Sequence, residues 1–119
     1  MSLISCTSDT YRKFSDLVSR DALVDMEQWI MQGFDVNGRF GFMSFTCLHY
    51  LAHLICPKHS QTDHTFAHLL IQHGAQVDLV DSDGCTALQR AQWVASFHAP
   101  KRLMVQVFEN AFIVNKVLV

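Results

Sequence analysis

Apolar residues recur along this chain at three- and four-residue spacing. An early stretch carries Phe14, Leu17 and Val18 on one face, and a later one carries Phe66 and Leu69. Such spacing places apolar side chains along one side of a helix. The pattern predicts an all-α chain of six helices: from near Asp9, about 21–32, 46–55, about 62–73, 86 to about 97, and from near Pro100.

Residues that favour helix starts lie at several of these boundaries. Ser8 or Asp9 can cap the first helix, and Thr46 and Thr62 can each cap the first turn of the helix that they open. Pro100 lies at or near the first turn of the last helix, where its missing N–H costs nothing. Because no pair of these helices can bury its apolar face alone, stacking must supply the core.

An internal repeat links the middle of the chain to its later part. The stretch "QGFDVNGRFGFMSFTCLHYLA" (32–52) aligns with "HGAQVDLVDSDGCTALQRA" (73–91). Gly33 and Gly74 each follow an apolar helical segment, at the position where a helix C-cap needs a left-handed residue. The matched pairs, 40 or 41 residues apart, are Gly33 with Gly74, Val36 with Val77, and Thr46 with Thr86.

This repeat resembles the ankyrin repeat. "TCLHYLA" (46–52) is similar to the Thr-Pro-Leu-His helix start of that family, with Cys47 where the family prefers Pro, and "LLIQHGAQVDLVDSDGCTAL" (69–88) matches it more closely. The period of 40 or 41 residues is longer than the usual value of about 33 residues. The additional residues lie at "CPKHSQT" (56–62). A second extended segment, "SFHAP", occupies 96–100.

The resemblance covers roughly residues 21–110 and implies one ankyrin-like domain over 1–119. It implies about three helix-turn-helix repeats with finger turns between them. The boundaries are about 8–37 for a first repeat or N-cap, 38–78, 79–110, and 111–119 for a C-terminal cap or tail.

Composition and charge exclude several classes of protein. The 119 residues are 50% hydrophobic and 17% charged, against about 25% charged in typical soluble domains, which argues against disorder. The net charge is −2, and the basic residues are scattered, with pairs such as Arg12 with Lys13 and Lys101 with Arg102, rather than forming a stripe. We therefore expect no nucleic-acid partner.

Targeting and membrane signals are also missing from the sequence pattern. The first twenty residues alternate polar and apolar positions without the continuous apolar region of a signal peptide. The apolar run "AFIVNKVLV" is interrupted by Asn115 and Lys116 and is far shorter than the ~20 residues that span a bilayer. We expect an intracellular protein, in the cytoplasm or nucleus, whose four cysteines are free thiols.

Histidine is concentrated in one segment, with six of the seven histidines between Cys47 and Gly74. His49 and His53 are four residues apart, as are His64 and His68, a spacing that zinc ligands use. One hypothesis is therefore a metal- or pH-responsive switch in 49–73, because exposed histidines titrate near pH 6.5. The metal candidates are Cys56, His59 and His64.

The alternative interpretation is structural. His49 falls on the family position at which, by resemblance, a histidine hydrogen-bonds backbone across the joint between repeats. His73 falls where polar residues commonly precede the C-cap glycine, and the remaining four are then loop or helix-surface residues. We favour this interpretation and expect neither a metal nor another cofactor.

Catalytic motifs are absent from the sequence. Neither "HYLAH" nor "HTFAH" contains the glutamate that hydrolytic zinc sites use as general base, and no glycine-rich phosphate loop or Gly-x-Ser-x-Gly elbow occurs. Asp81 and Asp83 flank the turn "DSDG", which is typical of a finger turn rather than a calcium loop. We expect the chain not to be an enzyme.

The segment "NGRFGFMSF" (37–45) is unusual for an exposed turn because it is rich in aromatic residues beside an arginine, the composition of interface hot spots. By resemblance, finger turns and the first helix of each pair form a concave surface that holds another protein. We predict such a non-catalytic adaptor or inhibitor, with Phe42 and Phe45 tucked under the finger as the alternative. The predicted contact residues are Arg39, Phe40, Phe42, Met43, Phe45, Asp81, Asp83 and Trp93.

The apolar C-terminus (111–119) would expose hydrophobic side chains to water unless another surface covers them. It can fold back as a cap, pair with a second copy of the chain, or dock on a larger assembly, and we favour the fold-back.

Overall fold

Helices make up most of the computed structural model, which describes residues 8–41, 43–53 and 63–118. Within those residues the chain has two isolated β-bridges and no extended strand, so the all-α prediction is confirmed. A short 3₁₀ helix (Ala99–Lys101) precedes the last α-helix. The α-helices are α1 (Ser8–Ser19), α2 (Leu23–Met31), α3 (Cys47–His53), α4 (Asp63–Gln72), α5 (Ala87–Ala95) and α6 (Arg102–Leu118).

Helix starts follow the predicted boundaries within about two residues. Thr86 caps α5 in a capping box, in which its side chain accepts from the N–H of Gln89 and the Gln89 side chain accepts from the N–H of Thr86. Pro100 lies in the first turn of the 3₁₀ helix. The predicted caps Ser8, Asp9 and Thr62 lie outside the side chains that the structure describes.

The last helix is longer than predicted. Residues 111–119 were expected to form a cap or tail beyond the helix, but α6 continues through Leu118. Met104 and Phe108 are buried and Ala111 is half-buried, at the three- and four-residue spacing of one helical face. No glycine or proline follows Pro100 to interrupt it.

The first, second and fourth helices end in the same backbone motif. At the end of α4, Ala75 donates its N–H to the carbonyl of Leu70 (2.9 Å) and Gly74 donates to Ile71 (3.1 Å), with φ of 96° at Gly74. This is the Schellman pattern, which uses a left-handed residue to satisfy the last helical carbonyls. The predicted glycine C-caps are confirmed. Equivalent bonds follow α2 at Gly33 (φ 115°) and α1 at Asp21 (φ 54°).

The helices pack in successive pairs around one core. Contacts join α1 to α2, α3 to α4 and α5 to α6, and further contacts join α3 to α5 and α4 to α6. The radius of gyration is 13.4 Å, close to the value of about 13.5 Å expected for one compact domain of this length. None of the helices in the described ranges is long and apolar enough to cross a membrane. The largest fully buried core side chains include Phe14, Met26, Leu48, Leu51, Phe66, Leu70, Met104 and Phe108.

Candidate functional site

Residues 37–46, the first finger, form a tight turn between α2 and α3. Phe40 and Phe45 pair across it, each donating its N–H to the other's carbonyl oxygen at 2.7 and 3.2 Å. Gly41 and Ser44 take left-handed φ angles of 66° and 54°, which allow the chain to reverse between the two phenylalanines. Phe42 lies outside the described residues.

The predicted finger residue Phe40 faces inward. It is buried, and its ring packs against those of Tyr11 and Phe14 with centroids 5.5 and 6.2 Å apart. Met43 is half-buried, and its carbonyl oxygen accepts the N–H of Ser82 at 2.9 Å. These two residues therefore anchor the finger to α1 and to the following turn.

Arg39 is exposed and joins the two turns. Its Nη1 donates to the carbonyl oxygens of Ser44 (2.9 Å) and Val80. Both acceptors are backbone carbonyls, and the described part of the chain places no carboxylate on this guanidinium. Arg39 thus leaves a positive charge at the finger that the described residues do not pair.

Residues 79–86, the second finger, are organised around Asp81. Its Oδ1 accepts the N–H groups of Asp83 (2.9 Å) and Cys85 (3.1 Å), and its Oδ2 accepts from Arg90 Nε at 2.8 Å. Arg90 Nη2 also donates to the Asp83 carboxylate at 3.0 Å. Burial by itself would raise the pKa of Asp81, but the hydrogen bonds from Arg90 and from these N–H groups outweigh it and lower the pKa below its ordinary value.

The predicted residues Phe45 and Trp93 are brought together by a histidine. His53 lies between them, with its ring centroid 5.7 Å from that of Phe45 and 5.7 Å from that of Trp93, on which it is stacked. Phe97 meets Trp93 edge to face at 5.1 Å. We call Phe45, His53, Trp93 and Phe97 the aromatic strip; it crosses from the first finger over α3 and α5.

The strip is open to solvent at one end. Trp93 and Phe97 are 57% and 56% exposed, whereas Ala91 and Val94 on the same helix are buried. Sequence reasoning identified Trp93 and Phe45 but missed Phe97 and the role of His53. The four-residue spacing of Trp93 and Phe97 was a usable signal, since it places both on one side of a helix end.

Two cations lie near the strip: Arg90, which is paired with Asp81 and Asp83, and the buried Lys101. The Arg90 guanidinium carbon lies 5.6 Å from the centre of the Phe45 ring. Burial and the neighbouring charges of Arg90 and Lys101 lower the pKa of His53, and the smaller opposing effect of Asp81 does not compensate. His53 is therefore largely neutral at pH 7.

His49 lies beneath the strip and joins two parts of the chain. Its Nε2 is 2.8 Å from the carbonyl oxygen of Cys85, and its Nδ1 is 2.8 Å from Thr46 Oγ1. The contact across the joint that the resemblance implies for this histidine is therefore present. Burial lowers the pKa of His49, so the ring is neutral at pH 7 and Nε2–H donates to the carbonyl.

The metal candidates do not form a cluster that the structure describes. Cys56 and His59 lie outside the described residues. His64 is half-buried, and its Nδ1 is buried with no hydrogen-bond partner among the described residues. Among the described residues, no three His, Cys, Asp or Glu side chains are grouped as metal ligands. The metal hypothesis stays a prediction.

A groove of about 550 Å³ lies between α4 and α6, away from the strip. Its walls are largely apolar and carry none of the predicted contact residues. They include His68, Ile71, Ala75, Val77, Val107 and Ala111.

No protein-family model, curated protein or solved structure shows a significant match to this chain.

Proposed function

We propose that this chain is an ankyrin-like module of about three repeats that binds another protein through the aromatic strip and the fingers, and performs no chemistry. The observation that carries the proposal is the exposure of Trp93 and Phe97. Two large aromatic rings, one on α5 and one in the turn just after it, contact each other at the surface, while the opposite face of α5 is buried. Exposed aromatic patches of this kind are typical of protein interfaces.

The repeat interpretation is supported by backbone contacts that recur along the chain. The bridge between Phe40 and Phe45 corresponds to the bridge between Val80 and Thr86, 40 and 41 residues later. Asn37, at the start of the first finger, forms hydrogen bonds to the segment that follows α4. Its Nδ2 donates to the carbonyl of Gly74 at 3.1 Å, and its Oδ1 accepts the N–H of Gln76 at 2.7 Å. Neighbouring repeats therefore share hydrogen bonds at equivalent turns.

The helix contacts fit the same interpretation. The first helices of successive pairs, α3 and α5, pack on each other, and so do the second helices, α4 and α6. On this basis we propose the repeat boundaries predicted above, with the third repeat extended to Leu118. The first helices and the fingers then form one side of the stack, and the strip lies on that side.

Adaptor and inhibitor roles use the same surface, so this proposal covers both. We propose an intracellular location, in the cytoplasm or nucleus, as the sequence predicts. Self-association through the apolar C-terminus (111–119) stays a prediction, since the side chains of 113–119 lie outside the described part.

A second candidate is a proton-responsive module. The observation that favours it is the position of His53, a titratable ring that lies between Phe45 and Trp93 of the proposed contact surface and stacks on Trp93. The predicted switch then acts through the strip rather than through residues 54–62.

The test is an affinity capture from native lysate, read by mass spectrometry, followed by binding measurements with the purified partner. The strip variant is Trp93→Ala with Phe97→Ala. The matched control is Val24→Ala with Met31→Ala, which removes two apolar side chains of similar exposure (71% and 70%) on α2. Both variants should melt close to the wild type, because exposed substitutions change stability little.

We expect a protein that the wild type and the α2 control capture and the strip variant loses. If the captured proteins bind all three equally, the strip is not the contact surface and the proposal fails.

A further inference from the structure

We propose that Asn37–Gly38 is a site of spontaneous deamidation, that the hydrogen bonds from Asn37 to the segment after α4 slow this reaction, and that its product opens the same contact irreversibly. The inference goes beyond the proposed function and does not depend on it. It is carried by three features: the sequence at the turn, the bonds that hold both reacting groups, and the groups that face the side-chain amide.

Deamidation is fastest where glycine follows asparagine, because glycine has no Cβ to obstruct the reaction. The backbone nitrogen of Gly38 attacks Cγ of Asn37, a C–N bond forms, and the side-chain nitrogen leaves as ammonia with the amide proton of Gly38. Water then opens the resulting five-membered imide and leaves aspartate or isoaspartate at position 37. The other two asparagines, Asn110 and Asn115, are followed by residues that have a Cβ. Asn37 is therefore the most reactive asparagine of this sequence.

Both reacting groups are held by other partners in the folded chain. The N–H of Gly38 donates to the carbonyl of Asp35 at 3.1 Å. The Asn37 side chain donates to the carbonyl of Gly74 at 3.1 Å and accepts the N–H of Gln76 at 2.7 Å, two bonds that we call the Asn37 contact. The attack requires these bonds to break first. The reaction rate therefore depends on how often the Asn37 contact opens.

The Asn37 contact can open without unfolding of the core. Asn37 and Gly38 are half-buried and the two bonds of the contact lie at the surface, whereas Val36 and Phe40 on either side are buried. The turn is thus a short, partly exposed segment between two anchored side chains. Surface hydrogen bonds of this kind open at a lower free energy than the whole domain.

The product does not fit the closed contact. Aspartate keeps one oxygen that accepts the N–H of Gln76, but its second oxygen replaces Nδ2 and faces the carbonyl oxygen of Gly74, so two acceptors meet without a proton. The new charge also lies close to Asp35, whose Oδ1 accepts the N–H of Asn37 at 3.0 Å. Isoaspartate in addition places an extra methylene in the main chain. Deamidation therefore makes a reversible opening permanent.

The first experiment follows the deamidation of Asn37 in the wild-type chain at pH 8 by peptide mapping with mass spectrometry. The rate is measured at a series of urea concentrations, from none to full unfolding. We expect the folded chain to react at least about tenfold more slowly than the unfolded chain. Below the unfolding midpoint the rate should rise with urea less steeply than global unfolding does, since a local opening exposes less surface.

Gly38→Ala is the control for the chemistry. Gly38 is not among the glycines with a left-handed φ, so alanine introduces no backbone strain there. Its Cβ should slow the reaction at Asn37 in the unfolded chain. Equal rates in the wild type and Gly38→Ala would overturn the inference, because the Gly38 nitrogen would not be the nucleophile. Isomerisation at Asp83–Gly84 does not interfere, since it leaves the mass unchanged.

The second experiment tests the product. Deamidated wild type, separated by ion exchange, and Asn37→Asp are compared with unmodified wild type and with Asn110→Asp, which makes the same change of charge at an exposed position of α6. Hydrogen exchange of the Gln76 amide, measured by NMR, reports the opening of the Asn37 contact. We expect this amide to exchange roughly tenfold faster in the first two proteins, the factor that corresponds to the loss of one hydrogen bond.

Three further results would overturn the inference. If Asn37 reacts as fast in the folded chain as in the unfolded chain, the Asn37 contact gives no protection. If the rate follows global unfolding at every urea concentration, the contact does not open locally. If the Gln76 amide exchanges alike in all four proteins, the closed contact accommodates the carboxylate.

Discussion

The ammonium group of Lys101 donates to the carbonyl oxygen of Leu51 at 2.9 Å, although the two residues are 50 positions apart and Lys101 is only 1% exposed. Leu51 lies in the last turn of α3 that the structure describes. A cation at a helix C-terminus also interacts favourably with the helix dipole. Lys101 therefore stabilises the end of α3 and connects it to the third helix pair.

Lys101→Met tests this contact. The substitution keeps the length and apolar stem of the side chain but leaves the carbonyl of Leu51 without this donor. We expect the free energy of unfolding to fall by about 2 kcal/mol, measured by urea denaturation at pH 7. Arg102→Met, at the exposed neighbouring position, is the control and should change stability little. A more stable Lys101→Met protein would mean that the cost of burying the charge exceeds the gain from the bond.

The second prediction concerns the acid stability that Asp81 provides. The pKa of the Asp81 carboxyl is lower in the folded chain than in the unfolded chain. The contribution of Asp81 to the free energy of unfolding is therefore complete above about pH 4 and is lost as the pH falls through the folded pKa. We expect Asp81→Asn to cost about 1.5–3 kcal/mol at pH 7. The variant should also lose less stability than the wild type between about pH 4 and pH 2.

The measurement is a series of urea denaturation curves from pH 7 to pH 2. Asp83→Asn is the matched control, because Asp83 is largely exposed and bonds the same arginine, and it should cost less than about 1 kcal/mol. Parallel acid profiles for the wild type and Asp81→Asn would show that another carboxylate is responsible.

The third prediction uses the stacking of His53 on Trp93 as a reporter. A protonated imidazole quenches the fluorescence of an indole in contact with it more strongly than a neutral one. In a Trp29→Phe background, which removes the other tryptophan, we expect the emission of Trp93 to fall as the pH decreases. The midpoint should lie below 6.5, since burial, Arg90 and Lys101 lower the pKa of His53.

Stability should change in the same pH range. Because the folded chain holds His49 and His53 with lowered pKa values, the unfolded chain takes up more protons below about pH 6.5, and the free energy of unfolding decreases there. His53→Gln should abolish the fluorescence transition and reduce this decrease. A transition that persists in His53→Gln would assign the quenching to a different group.

Local signals in the sequence were sufficient to predict the helices and several of their ends. A threonine cap at residue 46 and left-handed glycines at 33 and 74 act within a few residues of their own position, so the pattern predicts them without knowledge of the fold. The end of α6 was missed because the apolar spacing continues where a cap was expected. Whether the stack is ankyrin-like, and what it binds, stay proposals.

The candidate surface required the tertiary structure. Phe45, His53 and Trp93 come from the first finger, α3 and α5, and their rings meet only because α3 and α5 pack together. A different contact, with Tyr11 and Phe14 of α1, buries Phe40. Sequence alone determined which residues were apolar, aromatic or charged and which elements they belong to. Which of those side chains remain exposed depends on contacts between distant segments, which no local pattern records.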